Sequence, residues 1–167
     1  MFLYFVATCI LSQIDILIKF MKKIIIYTDG GSRGNPGPAG IGVVFCNEKN
    51  QSIKEYAEYL GDNFTNNEAE YSAAIFALKK FKLLFSKELA KKSELEIRSD
   101  SELVVKQLNV KYKIKDEKIQ KLFLEVWNLK FDFGKIKFKL IKRERNKQAD
   151  LLVNQALDSQ SKSQSLL

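Results

Sequence analysis

The stretch IIIYTDGGSRGNPGPA, residues 24–39, decides how this chain is read. Three isoleucines and a tyrosine make the continuous apolar run of a strand covered on both faces. The run stops at Asp29, which opens a loop dense in Gly, Asn and Pro. Three more carboxylates hold comparable places downstream: Glu70 in TNNEAEY, Asp100 in EIRSDSE and Asp150 in NKQADLLV. Each lies where a strand ends or a helix begins, beside apolar residues that belong in a core. A buried carboxylate is costly unless it is paired or bound to metal. Four of them in one small domain point to a site for divalent cations.

Three strand-like runs come first. Residues 22–29 are followed by 39–46 and 52–60, and the polar turn NEKNQ between the last two suits a hairpin. A helix is expected from residue 66 to about 85. Thr65 and Glu68 stand in the T-x-x-E spacing of a capping box at its start. ELEIRS, residues 94–99, alternates polar and apolar and reads as a fourth strand, feeding a helix over 101–108. A further amphipathic helix covers 116–130, with Ile119, Leu122, Phe123, Val126 and Leu129 at helical spacing. A fifth strand, 135–141, sets Lys135, Lys137 and Lys139 on one face and Ile136, Phe138 and Leu140 on the other. The last helix is expected from 147 to 157. This order, βββ-α-β-α-α-β-α, calls for an α/β fold, a mixed sheet with helices on both faces. In open sheets of this class the site gathers at the C-terminal ends of strands.

With 167 residues the chain suits one domain with a proper core, and 46% hydrophobic against 29% charged residues marks it as folded. Residues 21–158 form the expected domain. The apolar leader 1–20, MFLYFVATCILSQIDILIKF, lacks the basic start of a secretory signal, and Ser12, Gln13 and Asp15 interrupt it. KKIIIYTDG after Met21 reads as a natural start, so the leader is either an over-extension of the coding region or a membrane-associating segment. The low-complexity tail 159–167, SQSKSQSLL, is expected to be disordered. Cys9 and Cys46 form no ligand spacing or disulfide framework, which suits a reducing, cytoplasmic setting. Nothing in the pattern calls for an oligomer, so a monomer is expected.

Composition also limits the chemistry. There is no histidine, which excludes triads, imidazole zinc sites and the usual general base. Hydrolysis here must use carboxylates, metal-bound water, or both. The net charge of +8 is concentrated: residues 111–147 hold 13 basic and 5 acidic side chains, a surplus equal to that of the whole chain. Such a surplus is either a solvated lysine-rich surface or a face for a polyphosphate backbone.

Each acid has a structural reading beside the functional one. Asp29 can be a turn residue, yet it passes straight from a strand to Gly30-Gly31, where a ligand backbone can come close. Glu68 has a sufficient task in the capping box, whereas Glu70 stacks with Ala74, Ala77 and Phe81 on the buried stripe of its helix. Asp100 can be the N-cap of the helix that follows. Asp150 can simply favour a helix dipole, although it lies in line with Val153 and Leu157.

YTDGGSRGNPGPAG, TNNEAEY, RSDSELVVKQL and RNKQADLLVNQAL, in this order and at these separations, resemble type 1 ribonuclease H from residue 22 to about 157. The resemblance implies a ribonuclease H-like five-stranded mixed sheet, three strands antiparallel and two parallel, flanked by helices. It implies that Asp29, Glu70, Asp100 and Asp150 are the catalytic carboxylates and bind two Mg²⁺ ions roughly 4 Å apart, with Mn²⁺ as a substitute. The implied substrate is an RNA–DNA hybrid duplex, cut in its RNA strand to leave 5′-phosphate and 3′-hydroxyl ends. Asn35, Asn66 and Asn67 match the family's minor-groove contacts, where 2′-hydroxyls distinguish RNA from DNA. Gly30 and Thr65 join them as expected substrate-binding positions.

The chain also departs from the family pattern. IKRERNKQAD has no histidine before the last acid, and in this it resembles the archaeal-like branch, where an arginine occupies the region. Arg143 or Arg145 is then the residue that stabilises charge, without serving as a base. Glu102 stands where many members carry a substrate-contacting glutamine. The basic handle is reduced to NVKYKIKDEK. Double-stranded RNA is the rival substrate, since it shares A-like geometry and 2′-hydroxyls. A catalytically silent hybrid-binding module would have lost an acid, and all four are present. A nuclease or transposase relative would have no need of the GNPG and TNN segments.

Overall fold

The computed structural model describes residues 23–164; the expected leader, residues 1–20, lies outside the described residues. Five strands are present: β1 (Lys23–Ser32), β2 (Gly37–Cys46), β3 (Ser52–Phe64), β4 (Glu94–Ser99) and β5 (Lys135–Leu140). They form one sheet in the order β3-β2-β1-β4-β5. The β1–β2 and β2–β3 pairs are antiparallel, and β1–β4 and β4–β5 are parallel. The helices are α1 (Asn66–Lys92), α2 (Glu102–Leu108), α3 (Glu117–Lys130) and α4 (Lys147–Gln164), with a 3₁₀ turn over Arg143–Arg145. This is the expected mixed sheet. No helix among the described residues is long and apolar enough to cross a membrane.

The continuous apolar character of β1 follows from cover on both of its faces. Ile24 and Ile26 enter the main core with Val43 and Phe45 of β2 and Tyr71, Leu78 and Phe81 of α1. Ile25 points the other way, into a smaller cluster with Val44, Cys46 and Leu152 of α4. Helix α1 packs on β1 and β2 and against α3, while α4 lies across β2, β3 and β1 on the opposite face.

Several boundaries differ from the sequence expectations, each for a local reason. Strand β3 runs to Phe64 rather than residue 60, because Gly61 adopts φ +125° where the β2–β3 register shifts, and pairing resumes at Gly37–Phe64. That extension delivers Thr65 to its capping position. The helix expected to end near residue 85 does break there, at Phe85 and Ser86, with Ser86 at φ 59°. A further short helical piece then continues to Lys92. The last helix extends to Gln164 instead of stopping at 157, since DSQSKSQ contains no Gly or Pro to end it. Leu140 of β5, expected on an apolar face, is 42% exposed, while Phe138 is buried.

Candidate active site

Asp29 is not the last residue of β1. The strand continues to Ser32, pairing only with β2, and Asp29 sits opposite Gly42. Pairing between β1 and β4 ends at Tyr27–Arg98. Asp29 and Asp100 therefore stand two residues beyond the last pair of neighbouring parallel strands, at the point where the strands part. This is the sheet position at which α/β folds build their sites.

Two glycines let the helices bring the remaining acids in. A Cβ on Gly30 would lie 2.2 Å from the Ala69 carbonyl carbon and 2.5 Å from the Glu70 nitrogen. The close approach expected there from a ligand is thus made by the backbone of α1, at the residue that carries the acid. Gly30 directs its own amide to Asp29 Oδ1 at 2.9 Å. On the other face a Cβ on Gly42 would lie 2.0 Å from the Ala149 carbonyl oxygen, so α4 meets β2 next to Asp150. Both helix acids are seated by backbone-to-backbone contact.

The electrostatics show the result. Burial, then the charge of Asp100, push the Asp29 carboxyl up to about 7; the Gly30 amide opposes this, and Asp150 and Glu70 add to it. Three of the expected acids therefore act on the fourth. Burial also raises Glu70 above the ordinary carboxylate range, opposed by the Ser101 hydroxyl and reinforced by Asp100. Among the described residues no three carboxylates stand closed as a ready ligand group. Like charges repel at this range, and each acid beyond Asp29 is held by a different neighbour. Ser101 Oγ donates to Glu70 Oε2 at 2.6 Å. Asn146 Nδ2 donates to Asp100 Oδ1 at 2.6 Å, and Arg143 lies 3.4 Å from Asp150 Oδ1. An anionic, all-oxygen donor set, one member of which burial and then its acidic neighbours push up to about 7, fits a hard divalent cation.

Asp100 does not cap the following helix. Ser101 does, accepting from the Val104 amide, which leaves Asp100 free of that structural task. Thr65 and Glu68 form the capping box as expected, with Thr65 N donating to Glu68 Oε2 at 2.8 Å and Glu68 N donating to Thr65 Oγ1 at 3.2 Å. Asn35 and Asn66 tie the β1–β2 loop to the start of α1. Ser32 N donates to Asn66 Oδ1 at 2.8 Å and Asn66 N to Asn35 Oδ1 at 3.1 Å. Only their side-chain oxygens are used in these bonds, so both amide NH₂ groups remain at the exposed rim, as does Asn67.

Of the two candidate arginines, Arg143 reaches the acids, at 80% side-chain exposure. Arg145 instead lines a cavity of about 280 Å³ with Tyr27, Glu55 and Gln148. Glu102 pairs with Lys106 and accepts from Tyr112, and it is not among the charges acting on Asp29. Sequence reasoning missed Ser101, Gly42 and Asn146. Asparagine directly before a helix is a capping signal, and it could have drawn attention to Asn146.

Sheet order, helix placement and acid cluster together define a ribonuclease H-like α/β domain. The family model described as reverse transcriptase-like matches residues 27–156. LC11-RNase H1, isolated from compost by a metagenomic approach, is 46% identical with a TM-score of 0.78, over 83% of this chain and 98% of that one. The same compost protein has been solved in complex with an RNA/DNA hybrid, at a TM-score of 0.77. Ribonuclease HI of Halobacterium salinarum is 34% identical over 139 residues, 81% of this chain and 65% of that protein. The bifunctional protein Rv2228c of Mycobacterium tuberculosis is 36% identical over 141 residues, and the chain spans only 37% of its length. The chain belongs to the type 1 ribonuclease H family.

Proposed function

We propose that this chain is an endonuclease that hydrolyses the RNA strand of RNA–DNA hybrids with divalent cations. The observation that carries this reading is the placement of Asp29 and Asp100 where β1 and β4 part, with α1 and α4 packed on Gly30 and Gly42 beside Glu70 and Asp150. Support comes from the exposed amides of Asn35, Asn66 and Asn67 alongside, which can donate to 2′-hydroxyls and base edges in a minor groove. In the reaction a water oxygen attacks phosphorus and the bond to the 3′ oxygen breaks. The products are a 5′-phosphate and a 3′-hydroxyl, the latter taking up a proton. Two Mg²⁺ ions, or Mn²⁺, held by the four acids would supply Lewis-acid activation of water and neutralisation of charge on the leaving oxygen. Asp29, on which the charges of Asp100, Asp150 and Glu70 all act, would be the central residue of the set that holds the ions. Arg143, beside Asp150, stabilises charge where other members use histidine, while Thr65 and Gly30 hold the rim and centre in register.

The test is incubation of the full chain with end-labelled RNA–DNA hybrid, and separately with double-stranded RNA, in Mg²⁺, Mn²⁺ or chelator. Cleavage of the hybrid's RNA strand alone is expected. It requires metal and falls at least about 100-fold in Asp29→Asn, beyond the range of a supporting residue. Faster cutting of double-stranded RNA, or cutting that survives Asp29→Asn, would sink the reading.

A further inference from the structure

We propose that Asn146 is a positioning residue of the acid cluster, fixing which oxygen of Asp100 faces the centre and where α4, with Asp150, begins. This deepens the function proposed above and rests on it. Asn146 is 1% exposed. Its side-chain nitrogen donates twice, to the Thr28 carbonyl at 3.1 Å and to Asp100 Oδ1 at 2.6 Å. Both partners are acceptors, so the amide orientation is determined by chemistry rather than chosen. Its backbone carbonyl accepts the Asp150 amide at 3.1 Å. One residue therefore touches the peptide group that leads into Asp29, the carboxylate of Asp100 and the backbone of Asp150.

The remaining atom separates this role from simple capping. Asn146 Oδ1 is buried and has no hydrogen-bond partner. A residue kept only as an N-cap would turn that oxygen onto its own helix's amides. Here the oxygen is left unpaired, while the side-chain nitrogen serves Asp100 and the carbonyl before Asp29. The side-chain type matters as well. A lysine or arginine would neutralise Asp100, and an aspartate would repel it. A neutral donor occupies Oδ1 of Asp100 and leaves its charge intact, so that Oδ2 would be the atom to hold a cation.

The test compares the full-length parent with Asn146→Ala and Asn146→Asp, and with Val126→Ala as a core variant away from the site. Mn²⁺ binding is followed by electron paramagnetic resonance, hybrid cleavage by kcat and KM, and stability by Tm. In Asn146→Ala we expect Mn²⁺ affinity and kcat to fall 10–100-fold, as for removal of an outer-shell partner, with KM for hybrid within about twofold. Asn146→Asp should lose more. Val126→Ala should lose Tm and keep both affinity and kcat. Parent-like Mn²⁺ affinity in Asn146→Ala, or losses no greater than those of Val126→Ala at equal Tm, would overturn the proposal. If the parent binds Mn²⁺ but leaves hybrid uncut, the proposed function fails and the affinities alone decide the role of Asn146. If the parent binds no Mn²⁺, both fail.

Discussion

Helices α1 and α4 each carry one acid to the centre, from opposite faces of the sheet, and they are held by different means. The α1 helix buries Tyr71, Leu78 and Phe81 completely in the main core and is closed by the Thr65–Glu68 capping box. Each such side chain contributes on the order of 1.5–3 kcal/mol by burial. The α4 helix rests on a thinner apolar edge of Leu152, Val153, Ala156 and Leu157, and Asp150 keeps 43% side-chain exposure. Its start is set by the contact at Gly42 and by Asn146, whose side chain bonds the Thr28 carbonyl and whose carbonyl accepts the Asp150 amide. Glu70 is thus located by a core that would have to be dismantled to move it, and Asp150 by a smaller apolar contact and a close backbone approach at Gly42 that one substitution can disturb.

The glycine pair tests this difference most strongly. Alanine at Gly30 would drive a Cβ into the α1 backbone, and α1 cannot withdraw without opening the core. Gly30→Ala should cost about 3 kcal/mol or more, seen as a fall in Tm of roughly 10 °C. Alanine at Gly42 meets the α4 backbone instead. With less burial to forfeit, α4 should shift, so that Tm falls by less than in Gly30→Ala and kcat by more than the unfolded fraction explains. Equal loss of Tm in both variants, with kcat kept in Gly42→Ala, would break the comparison.

A smaller effect is expected at the start of α1. Thr65→Ala removes the Oγ1 acceptor of the Glu68 amide and the hydroxyl's own bond to Glu68, leaving only the backbone Thr65 N donation, and should cost about 1 kcal/mol in denaturant unfolding. Activity should change little, because the core still holds Glu70. A loss of kcat with unchanged stability would instead make Thr65 a substrate contact of its own.

The pH dependence concerns the shared centre. Asp29 binds its proton more tightly folded than unfolded, since burial and Asp100 raise it to about 7. Its contribution to stability is therefore fully present below the ordinary carboxylate range of about 4 and is lost as pH rises through about 7. In chelator, Tm should fall between pH 5 and 8, and Asp29→Asn should flatten that slope. An equally steep slope in the variant would place the strain elsewhere.

The smallest effect belongs to Arg143. An exposed pair contributes about 0–1 kcal/mol, so Arg143→Ala should leave Tm within a degree or two while lowering kcat less than about tenfold. A collapse of stability would mean that the arginine, rather than Asn146 and Gly42, holds α4 in place.

Much of this was legible in the chain because it depends on local signals. The apolar run before Asp29, the Thr65–Glu68 spacing and the helical stripe beneath Glu70 are periodicities within a dozen residues. They suffice for the element order and for separating Glu68 from Glu70. What escaped reading depends on distant partners. Gly30 looked like a place for a ligand because nothing local shows that Ala69 and Glu70 will press there. The N-cap reading of Asp100 stood beside the functional one because Asp and Ser are both good caps, and only the fold shows that Ser101 takes the role. Asn146 lies in a charged loop, and its importance rests on a carbonyl 118 residues away.

The most direct measurement is calorimetric titration of Mn²⁺ into the full chain near pH 6.5, in two buffers of different ionisation enthalpy, beside Asp29→Asn. The account predicts that binding releases protons from the parent, because cation and proton compete for a carboxylate that burial and its acidic neighbours push up to about 7. It also predicts that Asp29→Asn binds far more weakly and releases none. Equal affinity and equal proton release in the variant would contradict the claim that Asp29 is the point on which the four acids converge.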